Sequence, residues 1–230
     1  MVADRLGAAR VDYDGEGLSE DRCPAAPLPI VRAWIEAAVA RSVAQGDVPE
    51  PTALSVATVD ADGAPDVRTV LLRNLDERGP CFFGGLDSAK GRQLAARPLA
   101  AVSLTWPSMY RAIRMRGAVE ELDSEEVEAY FRTRPWGSRI GAHASRQSER
   151  LTDRSVLEAA YEECARRWPD TGSPDDVPLP SRWGGWRVVA DQVELWAGRR
   201  SRLHDRIVWD RVAPGGLDEP AAWRRSRRWP

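Results

Sequence analysis

Residues 193–209 read VELWAGRRSRLHDRIVW, and the rest of the chain is organised around this stretch. Alternating apolar and polar side chains over Leu203–Trp209 predict a β-strand, which would present Arg202, His204 and Arg206 on one face. Neighbouring cations repel one another unless an anion lies against them. Because Arg binds phosphate through a fixed fork of donors, the stretch predicts a site for a phosphate-bearing ligand. A solvated strand edge, charged to prevent aggregation, stays open as the alternative.

Working outward, most of the chain shows the short β-rich runs of a sheet. Helical patterns over 29–44, 88–97, 123–133 and 152–168 flank them. Because neighbouring runs are joined by short turns, the sheet should be antiparallel, and so many strands in a short span favour a closed barrel. The predicted strands are Ala53–Val59, Arg68–Leu72, Cys81–Phe83, Ala101–Trp106, Ile113–Val119, Arg187–Trp196 and Leu203–Trp209.

The domain organisation follows from where the regular patterns begin. Residues 1–26 are polar and rich in Gly, Asp and Pro, which predicts a flexible N-terminal arm. Residues 27–230 contain no convincing linker or internal repeat and are predicted to form one domain. Tyr13, with Arg10 three residues before it, gives the arm a means of closing over a site.

Composition and charge limit the function classes. A formal net charge of -2 provides no basic field that would recruit nucleic acid. No apolar run approaches the roughly 20 residues of a membrane helix. Three widely spaced cysteines without a CxxC motif favour a reducing cytoplasm over a disulfide framework or a zinc site. We therefore expect a cytoplasmic protein with no metal, no nucleic acid and no membrane among its partners.

Three further constellations each point weakly to an anion. RTVLLR at 68–73 brackets an apolar run with two guanidiniums, which reach one ligand only if the backbone bends. DSAKGR at 87–92 places a hydroxyl and cations at a helix N-terminus. Tyr130, Arg134 and Ser138 stand four residues apart, although Pro135 predicts that Ser138 lies in a loop.

Taken together, these stretches resemble the pyridoxamine 5'-phosphate oxidase family, FMN-dependent enzymes of the split-barrel fold. The resemblance runs from about Arg10 to Pro230. ELWAGRRSRLHDRIVWDR at 194–211 is similar to the family's C-terminal signature and is the most specific part. RTVLLR at 68–73, SAKGRQL at 88–94, YFRTRPWGSRIGAHASRQS at 130–148 and WGGWRV at 183–188 occur in the expected order. The implied fold is mainly β with flanking helices, an antiparallel FMN-binding split β-barrel over residues 27–230.

The resemblance also implies roles for individual residues. The substrate phosphate would be bound by Tyr130, Arg134 and Ser138, assisted by Arg73. The catalytic residues Arg202 and His204 would flank the pyridoxal ring, and Arg10 and Tyr13 would form a lid. The partners implied are a phosphorylated small-molecule substrate and a second copy of the chain, in a homodimer with flavin at its interface. FMN would be held by Arg68, Val70, Leu71, Arg73, Phe83, Gly84, Lys90, Gln147, Ser148, Trp196 and Arg206.

The implied reaction is oxidation of pyridoxamine or pyridoxine 5'-phosphate to pyridoxal 5'-phosphate, with O2 as electron acceptor. Three positions depart from the family pattern: Arg73 stands where Lys is usual, Ala112 where Gln is usual and Ala89 where Arg is frequent. Since the two alanines remove contacts to the flavin, two alternatives stay open. One is a phenazine-type flavin oxidase of secondary metabolism on the same fold. The other is a split-barrel flavin-binding protein without catalysis.

Overall fold

An antiparallel sheet dominates the computed structural model, which describes residues 11–230. Its strand order is β2-β1-β5-β6-β7-β4-β3, with β8 paired to β7 and β9 paired to β8. The predicted antiparallel, mainly β architecture is confirmed, since every ladder in this part of the chain is antiparallel. The strands are β1 Ala53–Val59, β2 Pro65–Leu71, β3 Asn74–Leu75, β4 Pro80–Gly85, β5 Leu99–Trp106, β6 Arg111–Glu121, β7 Trp183–Ala197, β8 Asp205–Arg211 and β9 Trp223–Arg228.

Helices flank the sheet and begin where their capping residues predict. Ser88 accepts a hydrogen bond from the Gly91 N–H, and Asp123 accepts one from the Glu126 N–H. Gly46, at φ 70°, ends the first helix in the left-handed conformation that glycine tolerates. The helices are α1 Leu28–Gln45, α2 Ala89–Ala96, α3 Ser124–Thr133, α4 Trp136–Ala144 and α5 Arg154–Arg167.

Strand β7 positions everything that follows. It is 15 residues long, and it pairs with β4 at its beginning and with β8 at its end, while β6 runs along most of its length. Two hydrophobic clusters lie along it. The larger fills the barrel around Val193, Leu195 and Ile207. The smaller packs α3 and α4 against the beginning of the strand through Phe131 and Ile140.

Two local predictions were wrong. The strand predicted over 203–209 begins only at Asp205, because a 3-10 turn occupies Arg200–Arg202 and reverses the chain before it. Ser201 and Arg202 lie at φ 58° and 64° there, a left-handed conformation that costs non-glycine residues energy. Ser138, predicted in a loop, lies in α4 instead, because Pro135 occupies the N-cap position, where no backbone N–H is required.

The segment before α1 packs onto the C-terminal strands. The Leu18 N–H donates to the Asp205 carboxylate at 2.9 Å, and Leu18, Cys23 and Ala26 are buried. Whether residues 1–26 act as an arm separate from the domain stays a prediction, and Arg10 lies outside the described residues. None of the helices in the described range has the length and apolar character needed to cross a bilayer.

Candidate active site

A cavity of about 270 Å³ lies where α4, the turn after β4 and the start of β7 meet. We call it the arginine cavity, and its walls include Gly85, Arg134, Ser138, Gln147, Arg182 and Trp183. Arg134 reaches it from the junction between α3 and α4, and Ser138 from the first turn of α4. The structure therefore brings two of the predicted phosphate ligands and one predicted flavin ligand, Gln147, to a single cavity.

Arg134 is a half-buried cation without a counterion among the described residues. One of its terminal nitrogens is buried and has no hydrogen-bond partner within residues 11–230. Its guanidinium lies 4.8 Å from the centre of the Trp183 ring, which provides cation–π attraction but no negative charge. Burial lowers the pKa of Arg134, and the positive charge of Arg73 lowers it further. An unpaired buried donor and two nearby guanidiniums are what an anionic ligand would satisfy.

Stacked aromatic rings fix the wall beside Arg134. Phe83 and Tyr130 stack with ring centroids 4.0 Å apart, and Phe83 also stacks on Trp183 at 5.5 Å. The stack joins β4, α3 and β7, so Tyr130 is held next to the cavity wall before any ligand arrives. The predicted substrate residue Tyr130 and the predicted flavin residue Phe83 therefore belong to one packed unit.

Lys90 is a buried cation at this end of the molecule. It is only 4% exposed, and its ammonium donates to Gln147 Oε1 at 2.6 Å and to Ser88 Oγ at 3.1 Å. Burial, and then the charge of Arg68, lower its pKa to about 8. No salt bridge to Lys90 forms within the described chain. A Cβ on Gly84 would lie 2.5 Å from Nζ, so glycine leaves room for the ammonium.

The predicted flavin strand β2 lies at the edge of the sheet. Arg68 is held against it by the Thr58 hydroxyl at 2.6 Å and by Asp66 at 2.6 Å, so most of its donors are already used. Val70 and Leu71 are half-buried, and Arg73 is exposed just beyond the strand. Ser148, next to Gln147, takes the left-handed conformation at φ 72°.

A second group of predicted residues surrounds His204, and we call it the histidine cluster: Tyr13, Trp196, Arg202 and His204. The His204 ring lies 4.7 Å from Trp196 and 5.5 Å from Tyr13, and the Arg202 guanidinium lies 5.2 Å from the centre of the Tyr13 ring. The resemblance placed Tyr13 and the catalytic pair at one substrate, and the structure places them together.

The tautomer of His204 follows from its backbone contact. Nδ1 lies 3.0 Å from the backbone nitrogen of Arg199, whose N–H donates to it. Nδ1 is therefore an acceptor, and the proton of the neutral ring is on Nε2. Burial, and next the charge of Arg202, lower the pKa of His204 below its ordinary value. His204 thus presents an N–H donor rather than a free base.

Arg206 is engaged within its own chain. It forms a bidentate pair with Glu194, at 3.0 and 2.8 Å, and Arg114 approaches the same carboxylate at 3.1 Å. Glu194 is 7% exposed, and its hydrogen bond raises the pKa of Arg206. The expectation that Arg202, His204 and Arg206 form a row of cations requiring an external anion was therefore wrong. The missing anion is a buried carboxylate on β7, and only Arg206 of the three lies in the strand.

The arginine cavity and the histidine cluster lie at opposite ends of β7. Trp183 marks one end and Trp196 the other, thirteen residues later. That separation corresponds to about 40 Å of extended chain. The predicted site residues therefore form two halves in one chain, one at each end of β7.

Sequence reasoning missed three contributors. Arg182 lines the arginine cavity, Glu194 neutralises Arg206, and the Arg199 N–H sets the tautomer of His204. Arg182 directly precedes the 183–188 motif and Glu194 lies within the 194–211 motif, so position in the sequence was the signal that could have identified them. Ala112, one of the departures, is 3% exposed and lies directly opposite Trp196 in the ladder.

Comparison with known sequences adds to this geometry. A sequence profile of pyridoxamine 5'-phosphate oxidase matches residues 42–167, and one of the pyridoxine 5'-phosphate oxidase C-terminal dimerisation region matches residues 183–230. A pyridoxine/pyridoxamine 5'-phosphate oxidase of Kineococcus radiotolerans is 45% identical over 222 residues, covering 96% of this chain and 97% of the relative. Another, of Pseudomonas paraeruginosa, is 43% identical over 219 residues, covering 91% and 98%.

Two solved structures share the architecture. PhzG from Burkholderia lata, in complex with tetrahydrophenazine-1-carboxylic acid, has a TM-score of 0.80 at 27% identity, covering 94% of this chain and 99% of its own. A pyridoxamine 5'-phosphate oxidase-related, FMN-binding protein of Nostoc punctiforme has a TM-score of 0.64 at 20% identity, covering 86% and 97%. These likenesses confirm the split-barrel fold predicted from the sequence.

Proposed function

This chain belongs to the pyridoxamine 5'-phosphate oxidase family, and from that premise we propose that it oxidises pyridoxamine or pyridoxine 5'-phosphate to pyridoxal 5'-phosphate with O2 as acceptor. The observation that carries the proposal is a pair of cations without carboxylate partners within the described residues. Lys90 is buried, and Arg134 is half-buried with one terminal nitrogen that is buried and unpaired. An unpaired buried charge is costly, so its retention calls for an anionic ligand. Two such cations suit two phosphates, one on the cofactor and one on the substrate.

The cofactor is FMN, which when bound supplies a two-electron acceptor that O2 regenerates with release of hydrogen peroxide. Lys90 fits its phosphate, since the ammonium is buried, is held by Ser88 and Gln147, and occupies the space that a side chain at position 84 would take. Arg68, Val70, Leu71, Arg73, Phe83 and Ser148 line the same end of the molecule and complete this half. Trp196 and Arg206 provide the other half from the far end of β7.

The protein's own contribution to the reaction is position and charge. Arg134, Ser138 and Tyr130, with Arg73, bind the substrate phosphate and thereby fix the distance of the reacting carbon from the flavin. Arg202 covers the substrate ring, and His204 donates its Nε2–H to it. Tyr13, which lies in the histidine cluster, covers the site and excludes water. The amine substrate leaves the site as an imine, which water hydrolyses to the aldehyde.

A homodimer with FMN at its interface explains how the halves of the site meet. Residues 183–230 match a dimerisation region and carry Trp196, Arg202, His204 and Arg206. Within one chain the two halves lie at opposite ends of β7, which favours completion of the site by a second chain. In a two-fold dimer, the histidine cluster of one protomer faces the arginine cavity of its partner, and the arrangement occurs twice.

A phenazine-type oxidase is the second candidate. The structural similarity to PhzG favours it, and so does buried Ala112, which removes the amide usual at the flavin. The bound molecule of PhzG is a carboxylic acid without a phosphate, whereas the arginine cavity offers Arg134 and Ser138, with the charge of Arg73 acting on Arg134, to a larger, doubly charged anion. This difference in ligand charge favours the phosphorylated vitamer.

A turnover assay tests the proposal directly. Purified protein with FMN should consume O2 and form aldehyde from pyridoxamine 5'-phosphate, and unphosphorylated pyridoxamine should react poorly. Light scattering should show a dimer with up to one FMN per subunit. A yellow protein that oxidises a reduced phenazine carboxylate but not the phosphorylated amine would establish the second candidate. A protein that binds no flavin, or a monomer that binds it fully, would contradict the proposed site.

A further inference from the structure

Arg182 contributes a second guanidinium to the wall of the arginine cavity. One terminal nitrogen donates to two backbone carbonyls at the end of α4, those of His143 at 2.7 Å and Ser145 at 3.0 Å. This clamp ties the last turn of α4 to the start of β7. It also fixes the orientation of the guanidinium plane, because the plane must direct its N–H groups toward both carbonyl oxygens.

The remaining hydrogen-bond donors of the Arg182 guanidinium are not used in this way. Its other terminal nitrogen lies 3.9 Å from Asp87 Oδ2, which is too long for a hydrogen bond. Arg206, in contrast, forms a bidentate pair with Glu194 at 3.0 and 2.8 Å. Arg182 therefore keeps donors for a ligand, although Asp87 offsets part of its charge. With Arg134 unpaired on the same wall, the charged groups of the cavity sum to a net positive charge.

We propose that Arg182 is a specificity-determining residue that binds a phosphate dianion together with Arg134 in the arginine cavity. The inference rests on the proposed function and adds a residue to it. A phosphate monoester carries close to two charges at neutral pH and offers three acceptor oxygens. Arg134 satisfies one side of such a group, and a second guanidinium held by the carbonyl clamp satisfies another. Ser138, in the first turn of α4, lies on the same wall.

Two variants separate the charge of Arg182 from its clamp. Arg182→Lys keeps the positive charge but loses the planar fork, whereas Arg182→Gln keeps an amide donor for the carbonyls but loses the charge. Arg154→Gln is the matched control, because Arg154 is 81% exposed, pairs with Glu158 and is absent from the cavity wall. All variants are compared with wild type in the full-length protein.

Binding is measured by calorimetry with two ligand pairs. Pyridoxal 5'-phosphate and pyridoxal are titrated into the FMN-loaded protein, and FMN and riboflavin into protein freed of flavin. In one of the two pairs, we expect Arg182→Gln to lower the affinity for the phosphorylated ligand about tenfold. The affinity for its unphosphorylated counterpart should change less than about twofold. Arg182→Lys should recover part of the loss, and Arg154→Gln should match wild type.

The pair that responds identifies the source of the phosphate, substrate or cofactor. Equal losses for both members of each pair, accompanied by a lower melting temperature, would mean that Arg182 acts only through its clamp and would overturn the inference. Unchanged binding in Arg182→Gln, or no preference for phosphorylated ligands in wild type, would also overturn it. All of these titrations measure ligand binding and none measures turnover. Failure of the wild type to oxidise pyridoxamine 5'-phosphate would therefore refute the proposed function without deciding the role of Arg182.

Discussion

The two ends of β7 handle positive charge in opposite ways. At the end that holds the arginine cavity, buried Lys90 and half-buried Arg134 have no carboxylate partner among the described residues. At the histidine cluster, Arg206 is neutralised by buried Glu194, and His204 is fixed by a backbone N–H. One end is arranged to receive charge from outside, and the other is complete before a ligand arrives. The contrast indicates that the first end binds phosphate, while the second provides a rigid surface for the reacting ring.

The largest expected difference is in stability. Arg206→Ala leaves Glu194 buried with only Arg114 as a partner, so we expect the ligand-free protein to lose about 3 kcal/mol of unfolding free energy. Arg134→Ala removes a charge that has no partner, so it should leave the stability almost unchanged. Urea unfolding of flavin-free protein measures both. Equal losses for the two variants would show that the ends of β7 do not differ in this way.

Ligand affinity should show the reverse pattern. Arg134→Ala should raise the KM for pyridoxamine 5'-phosphate roughly tenfold to a hundredfold, since a hydrogen bond to a charged group contributes about 1.5–3 kcal/mol. Its affinity for FMN should change little. Arg206→Ala is the matched comparison, and it should weaken FMN more than substrate. If each substitution weakened both ligands equally, the two sites would not be separable.

The pH dependence of flavin binding tests Lys90. Without ligand its pKa is about 8, below its ordinary value. A bound phosphate favours the charged ammonium, so binding above pH 8 requires uptake of a proton, and affinity falls as the pH rises. Between pH 7 and 9 the FMN affinity should fall about tenfold. The FMN affinity of Lys90→Arg should not change over this range, because the guanidinium stays protonated. The riboflavin affinity of the wild type should not change either, because riboflavin has no phosphate.

Most of the fold could be predicted because its signals are local. The apolar, β-branched run Ala53–Val59 predicted that strand with its observed bounds, and the caps at Ser88 and Asp123 predicted the starts of two helices. Two elements could not be found this way. Helix α4 follows a proline that suggested a loop, and β9, which reads WRRSRR, is too rich in Arg to suggest a strand until β8 pairs with it.

In the candidate site too, the features with a local sequence signal could be predicted and the others could not. The motifs located Lys90, Arg134 and His204, because their residue types and neighbours are distinctive. They could not reveal that Glu194 neutralises Arg206, since that contact depends on the register between β7 and β8. Nor could they show that the motifs form two halves about 40 Å of strand apart, because strand length and pairing are properties of the folded sheet.

The smallest expected effect concerns His204, whose proton position follows from one backbone contact. With Nδ1 accepting from Arg199, the neutral ring carries its proton on Nε2. The chain has only two histidines, so nitrogen NMR of histidine-labelled protein resolves both, and His143→Gln assigns the remaining signal to His204. We expect an Nε2–H ring that stays neutral below the ordinary imidazole pKa of about 6.5, because burial and Arg202 lower the pKa of the folded state.

The sign of the accompanying pH effect follows. Since the unfolded chain binds the proton more readily than the folded one, the stability contribution of His204 is present above about pH 6.5 and declines on acidification. Tyr13, Arg199, Arg202 and Asp205 are the ionisable groups near the ring. The kcat/KM for substrate should therefore lack an acid limb near pH 6.5. Two results would contradict this: an acid limb that is lost in His204→Gln, and an NMR signal from a proton on Nδ1. Together they would show that His204 accepts a proton instead of donating one. The hydrogen bond from the Arg199 N–H would then not fix the ring.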